Sequence, residues 1–292
     1  MAEIIEKWRD SLIDTFEIKF KSVKLEAIVS YPHAGNDVFE CLGMYNNEKT
    51  SFFLKLERSK MANFDNEVKI LNLISGRLPV PSIYESGVYK NTKYIVMSKI
   101  MGEKLSTILK DKKADSNKYL FAYGTALAKI HGLDLTNDYA VQRIINDFPK
   151  EDNYKLMDQF SRITIDYLIN TKPSINFDTF IHGDFHYSNV LWNSYNVAGI
   201  LDWEYSGLGN KEQDIAWALI LRPNQEFLFS IKDIKYFLNG YNSIGTYNSS
   251  ILKWCLINGY FHFYLMNMKN NNKRYSARLK RLIRYFVLIE KI

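Results

Sequence analysis

Two cysteines in 292 residues, Cys41 and Cys255, are too few for a disulfide framework. They fit a reducing cytoplasm, and with so few thiols no zinc site is expected. Long apolar runs are also missing. The first ten residues, MAEIIEKWRD, mix charges into their apolar positions, so no secretory leader is expected. The most apolar segment, Ile251 to Met268, is broken by Lys253, Asn258 and His262 and suits a buried helix better than a membrane span. There is no internal repeat and no low-complexity linker. Disulfide scaffolds, membrane spans and solenoids drop out together.

The composition left is that of an ordinary globular protein, 47% hydrophobic and 24% charged. The length allows one large domain or two lobes. A net charge of +6 suggests nucleic acid at first sight, but it is local. Residues 268–292 hold eight Lys and Arg against Glu290, a net +7, which leaves −1 for residues 1–267. In that basic stretch Leu279, Leu282, Ile283, Phe286 and Val287 recur at helical spacing. The reading is a terminal helix with a solvated basic face, with neither nucleic acid nor membrane as partner.

Residues 1–15 read as an amphipathic helix. Short β-branched and aromatic runs follow at 16–30, 37–45, 50–56, 83–89 and 92–98, with one helix at about 63–75 ended by Gly76, Pro79 and Pro81. After Gly102 helices dominate, at 104–110, 116–131, 152–171, 212–221, 231–241, 249–268 and 275–291, around a hairpin-like stretch from Phe180 to Trp203. The expected class is α+β: a small antiparallel β lobe with one helix (1–98), then a larger, mainly helical lobe (99–292).

The most informative stretch is IHGDFHYSNVLWNSYNVAGILDWE, Ile181 to Glu204. It contains Asp184, then Asn189 after four residues, then Asp202 closing an apolar run. Phosphoryl transfer from a nucleotide needs this set. One carboxylate orients the attacking hydroxyl and takes its proton; an amide oxygen and a second carboxylate hold the Mg²⁺ ions. The spacing is that of the kinase catalytic loop followed by the metal-binding aspartate. Asp184 is therefore the candidate base, and Asn189 and Asp202 the candidate metal ligands. His182 and His186 flank the acid; packing and hydrogen-bonding of the loop is the favoured role over metal ligation. Asp214, in QDIAWALI, reads as a helix-start anchor.

Upstream, SFFLKLER puts Phe53, Lys55 and Glu57 on one strand face and Phe52, Leu54 and Leu56 on the other. A lysine there needs a partner. Glu67 on the following helix is the candidate, giving the Lys–Glu pair that sets a lysine on the α and β phosphates. YIVMSKIMG is either an ordinary strand end or, in a two-lobed kinase, the linker in which Met97 would back the purine while the Ser98 carbonyl and the Ile100 amide face its edge. The glycine-rich phosphate loop of protein kinases is missing. SYPHAGNDVFEC offers only Gly35 with Asn36, either as amides near the phosphates or as a plain hairpin turn.

FLKLE, NEVKIL, MSKIMG, HGDFHYSN and ILDWEYSG, in this order, resemble the aminoglycoside phosphotransferase family, the choline-kinase-like small-molecule kinases of protein-kinase-like fold. The likeness runs from about Gly35 to Asp214. It implies Asp184 as base, Asn189 and Asp202 as Mg²⁺ ligands, Lys55 with Glu67 as phosphate clamp, and ATP or GTP as co-substrate. Eleven residues between Asp202 and Asp214 leave no room for a peptide-docking activation segment, so a small hydroxyl-bearing acceptor is expected, handled by a cytoplasmic monomer. An aminoglycoside is the first expectation, with Glu204 either facing it or capping a turn, and with Glu151, Asp152, Asp158, Glu212 and Glu226 as further acids. The alternatives are a choline-like acceptor in an aromatic cage of Trp192, Trp203, Tyr205 and the 259–268 rings, a sugar-like acceptor, a macrolide in an apolar groove, and a remote non-enzymatic reading as an RNA- or lipid-surface-binding pseudokinase.

Overall fold

The computed structural model describes residues 11–32, 35–58, 62–112, 116–135, 142–143, 158–223, 225, 227–228, 230–268 and 272–289. The chain separates into two compact units, Met1–Met101 and Gly102–Ile292.

The first unit is an antiparallel sheet of β1 (Val23–Ser30), β2 (Asp37–Tyr45), β3 (Glu48–Leu56), β4 (Ile83–Tyr89) and β5 (Thr92–Ser98), in spatial order β1-β2-β3-β5-β4. One helix, α1 (Phe64–Ile74), is inserted between β3 and β4. Alternation sorts the faces. Phe52, Leu54 and Leu56 are fully buried in one cluster with Phe39, Cys41 and Val96, while Ile95 and Met97 pack with Phe64 of α1 and with Phe53 on the other side. Burying each such side chain contributes about 1.5–3 kcal/mol. Asn63 caps α1 by accepting the Asn66 amide.

The expected first strand from Phe16 is shorter. Thr15–Glu17 form a 3₁₀ turn whose Phe16 amide is taken by Asp14, and the Lys21 and Ser22 amides donate to the Glu85 carboxylate instead of to a strand. Of the helix expected over 1–15, residues 1–10 lie outside the described residues, and 11–14 are not helical.

The second unit contains β6 (Glu103–Lys104), α2 (Leu105–Lys112), α3 (Ser116–His131), β7 (Gln142–Arg143), α4 (Gln159–Asn170), β8 (Thr179–Ile181), β9 (Val190–Asn193), β10 (Asn196–Ile200), β11 (Gly207–Gly209), α5 (Lys211–Leu219), α6 (Ile231–Asn242), α7 (Ser249–Met268) and α8 (Lys273–Leu288). Its two small sheets run β10-β9-β6 and β7-β11-β8. The helix expected over 152–171 starts at Gln159 behind the Asp158 cap, and residues 152–157 lie outside the described residues. That expected over 212–221 stops at Leu219, because Tyr260, Arg222 and Tyr275 donate to the Leu219, Ile220 and Leu221 carbonyls. Pro223 lies just beyond.

In α8 Tyr275, Leu279, Leu282, Ile283 and Phe286 are buried, while Arg274, Arg281 and Arg284 face solvent, the arrangement that the helical spacing anticipates. Among the described residues no helix is long and apolar enough to cross a membrane.

Helices α3 and α6 cross backbone to backbone. A Cβ on Gly124 would stand 2.0 Å from the Phe237 carbonyl oxygen, and one on Gly240 would stand 1.9 Å from that of Phe121. Both glycines are therefore required by close approach rather than by unusual dihedrals. Gly240→Ala forces the helices apart and is expected to lower stability by about 1–3 kcal/mol, read as a lower urea midpoint. An unchanged midpoint would show that the crossing yields without cost.

Candidate active site

In the first unit Lys55 and Glu67 meet as anticipated. Nζ lies 2.7 Å from Oε2, and both residues are buried, at 6% and 2% exposure. The Phe64 ring sits 5.3 Å from the ammonium. Removing one member of such a pair strands the other's charge, at a cost of about 3–5 kcal/mol. Met97 is buried against the same α1 face, Ser98 ends β5, and Ile100 follows in irregular chain. The Ser98 amide is occupied by the Ser82 carbonyl, and Ser98 Oγ accepts from the Ser82 amide.

Gly35 takes a positive φ of 110° at the turn before β2. Asn36 is turned inward: its Oδ1 accepts the Arg58 amide, while Arg58 Nε donates to the fully buried Asp37. This side chain anchors the turn to the end of β3, so a phosphate contact there would come from the backbone.

In the second unit β8 delivers the chain to His182, and three groups fix the loop that follows. The first is Asp214, fully buried on α5, whose carboxylate accepts the His182 amide (3.0 Å), the Gly183 amide (3.3 Å) and His131 Nε2 (3.1 Å). Its part is thus to hold loop backbone, beyond the helix-start role read from sequence. The second is Gly183, at φ 81°, where a Cβ would meet the Tyr205 carbonyl at 2.1 Å. The third is His182. Its Nε2 donates to the Leu201 carbonyl, which can only accept, so Nδ1 is the bare nitrogen that takes the Asp184 amide. The ring is buried, and burial pushes its pKa below the ordinary value, which keeps it neutral. Both nitrogens are used, so the loop-packing role holds and metal ligation does not.

Two candidate residues of this unit, Asp184 and Asn189, are in direct contact. Asp184 Oδ1 accepts Trp217 Nε1 at 2.7 Å, and Oδ2 accepts Asn189 Nδ2 at 3.3 Å. His186, with Nδ1 accepting the Ser188 amide, presents Nε2 to Oδ2 at 3.6 Å. Burial alone would raise the Asp184 pKa; the His186 contact and the Trp217 donor outweigh it and hold the carboxyl below its usual range. Asn189 Nδ2 also donates to the Asp184 carbonyl, so neither of these bonds engages its Oδ1. Leu201, the residue before Asp202, is held at both ends, since its amide donates to the Asn189 carbonyl and its carbonyl accepts from His182. Asp202 itself lies in the left-handed region at φ 66°, a conformation that Asp tolerates better than most residues.

Other expectations need correcting. Glu204 is buried, at 6% exposure. Asp158 caps α4 and pairs with Lys280, and Glu212 accepts the Asn210 side chain and the Asn248 amide, so both are committed to structure. Glu151, Asp152 and Glu226 lie outside the described residues. Trp192 and Trp203 are core residues at 1% and 0% exposure and cannot form a cage. The residue that the sequence reading missed is Trp217. It follows Asp214 by three positions on α5, a helical spacing that places both on the loop side.

A buried neutral imidazole and a depressed carboxylate act with the same sign. The unfolded chain binds the His182 proton near pH 6.5 and the native chain resists it. Stability is therefore full above that pH and falls on acidification, with protonation of Asp184 adding further loss at lower pH. Melting temperatures across pH 5–8 should decline on the acid side, and His182→Gln should flatten the upper part of that decline. A slope unaltered in the variant would contradict the neutral assignment.

A sequence model of the phosphotransferase enzyme family (APH) matches residues 36–244. An aminoglycoside 3'-phosphotransferase of Niallia circulans is 24% identical over 168 residues, 52% of this chain and 62% of that protein, so under two thirds of the relative's length is spanned. An aminoglycoside 3'-phosphotransferase of Enterococcus faecalis is 24% identical over 59% of this chain and 72% of its own. The fold is shared with a thermostable mutant of aminoglycoside phosphotransferase APH(4)-Ia, solved with AMP-PNP and hygromycin B (TM-score 0.61, 16% identity, 92% of this chain and 95% of that one). It is also shared with macrolide 2'-phosphotransferase MphH of Brachybacterium faecium (TM-score 0.56, 13% identity, 88% and 92%). With well over half of its length matched, this chain belongs to the APH family of phosphotransferase enzymes.

Proposed function

We propose that the protein transfers the γ-phosphate of ATP or GTP to a hydroxyl of a small molecule, an aminoglycoside-type antibiotic in the first instance. The observation that carries this reading is the Asp184 carboxylate, held on both oxygens beside an asparagine whose amide oxygen is left for a cation. The acceptor oxygen bonds to the γ-phosphorus, the bond to the β–γ bridging oxygen breaks, the nucleoside diphosphate leaves, and the hydroxyl proton passes to Asp184. Lys55, oriented by Glu67, holds the α and β phosphates. Gly35 and Asn36 contribute backbone near the phosphates, and Met97, Ser98 and Ile100 frame the base.

Asn189 and Asp202 offer the oxygen donors that a hard cation prefers and are the Mg²⁺ ligands in this reading. Bound Mg²⁺ supplies neutralisation of phosphate charge. The chain's own part is to fix those two oxygens through the Leu201 peptide.

One observation favours a second acceptor class. The flank of Asp184 formed by Trp217, with Phe263 at 6.1 Å ring to ring, is aromatic, and Asp158 and Glu212 are spent elsewhere. An apolar acceptor such as a macrolide suits that flank. The two free thiols are buried, and burial pushes Cys41 up to about 12. Both remain inert in the reducing cytoplasm in which we place this monomer.

Nucleoside-diphosphate release from MgATP and MgGTP, tested against aminoglycosides, macrolides, choline, ethanolamine and sugars, separates these acceptors. Aminoglycoside-dependent release supports the first reading, macrolide-dependent release the second, and no acceptor-dependent release defeats both. Asp184→Ala should lower kcat by several orders of magnitude while nucleotide affinity is kept. Asp202→Ala should also weaken MgATP binding, measured by titration calorimetry; an unaltered affinity argues against its metal role.

A further inference from the structure

Asp184 is fixed by more than its own loop. We infer that Trp217 is a positioning residue that aims the Asp184 carboxylate at the acceptor hydroxyl through its indole N–H, an inference that rests on the proposed role of Asp184 as base. The bond from Nε1 to Oδ1, at 2.7 Å, is the shortest that this carboxylate receives; the Asn189 amide is at 3.3 Å and the His186 ring at 3.6 Å. A neutral donor on an ionised acceptor is a strong hydrogen bond. It removes the rotation of the carboxylate about its own axis, which the loop backbone does not control.

The ring is itself held. The Arg222 guanidinium lies 5.1 Å from the indole, and its NH1 donates to the Ile220 carbonyl at 3.1 Å, so the cation is tied to the end of the helix that carries the ring. Phe263 of α7 stands at the ring's other neighbour position, 6.1 Å away. Asp214 and Trp217 lie one helical turn apart on α5. One helix therefore fixes both the backbone of the loop, through the His182 and Gly183 amides, and the orientation of the acid that the loop carries. An indole is the neutral side chain that reaches from a helix with a donor and no competing acceptor. A serine or glutamine there would bring an oxygen against the carboxylate in some rotamers.

The test removes the N–H and keeps an aromatic ring. Trp217→Phe, and the sulfur isostere benzothienylalanine at position 217, are assayed with MgATP and the fastest acceptor of the panel above, or with water as acceptor where none is faster. We expect kcat to fall about 10- to 100-fold, the loss typical of a misaligned reacting group, with MgATP affinity and melting temperature close to the parent. The isostere decides if the phenylalanine variant folds poorly. Full kcat in the isostere overturns the role of Trp217.

An equal loss of kcat and of MgATP affinity also overturns it, since that pattern marks general loosening. Asp184→Asn separates the layers of the argument. Retained turnover in that variant defeats the base assignment, whereas lost turnover there with full kcat in the Trp217 variants defeats only the present inference. Adding Trp217→Phe to Asp184→Asn should cause no further loss of kcat, and an additive loss would place the action of Trp217 elsewhere.

Discussion

A carboxylate with no access to water, that of Asp214, must find its hydrogen bonds inside the protein, and it finds them in the loop that carries Asp184. Two successive backbone amides and an imidazole converge on it. Leaving such donors unpaired costs on the order of 1–3 kcal/mol each. The loop and the helix are therefore bound to a common geometry. The bend that lets consecutive amides point at one acceptor needs Gly183 in its left-handed conformation, packed on the Tyr205 carbonyl. Everything beyond, from Asp184 to Asn189, inherits its direction from that arrangement.

Packing carries the same constraint outward. His131 closes α3 and bridges Asp214 to the Tyr241 hydroxyl of α6. Tyr123, a little over two turns earlier on α3, stacks on Phe185 inside the loop. Since α3 and α6 touch at glycines, the spacing of these two supports is set by backbone contact and not by compressible side chains. The loop is mobile only to the extent that two helices can part, which gives a physical meaning to preorganisation in this unit.

The parts of this arrangement that chemistry demands could be read from the sequence. Asp184 and Asn189 stand out in the sequence because phosphoryl transfer admits few residue types at that spacing, and the fold brings their side chains into contact. Lys55 with Glu67 is legible because a charge on an apolar strand needs a partner. The sheet with a single inserted helix follows from alternation and turn signals. What could not be read depends on tertiary neighbours. Nothing local distinguishes Trp192 and Trp203, which are core, from Trp217, which meets the acid. Asn36 looks like a loop residue until Arg58 arrives from the end of β3. Acids tallied as a candidate pocket, Asp158 and Glu212, turn out to hold helix ends and loops. Gly124 and Gly240 carry no turn signal, because their requirement comes from the neighbouring helix.

The left-handed backbone at Asp202 has a consequence for how this protein can change over generations. Glutamate would preserve the charge but fits that dihedral poorly, so charge-conserving drift is blocked by the main chain. Asparagine fits almost as well as aspartate and lies one base change away in the genetic code. The cheapest exit from this position thus abolishes the negative charge while sparing the architecture. Lineages that lose the acid here can be expected to pass through an amide and to keep a folded protein available for another use.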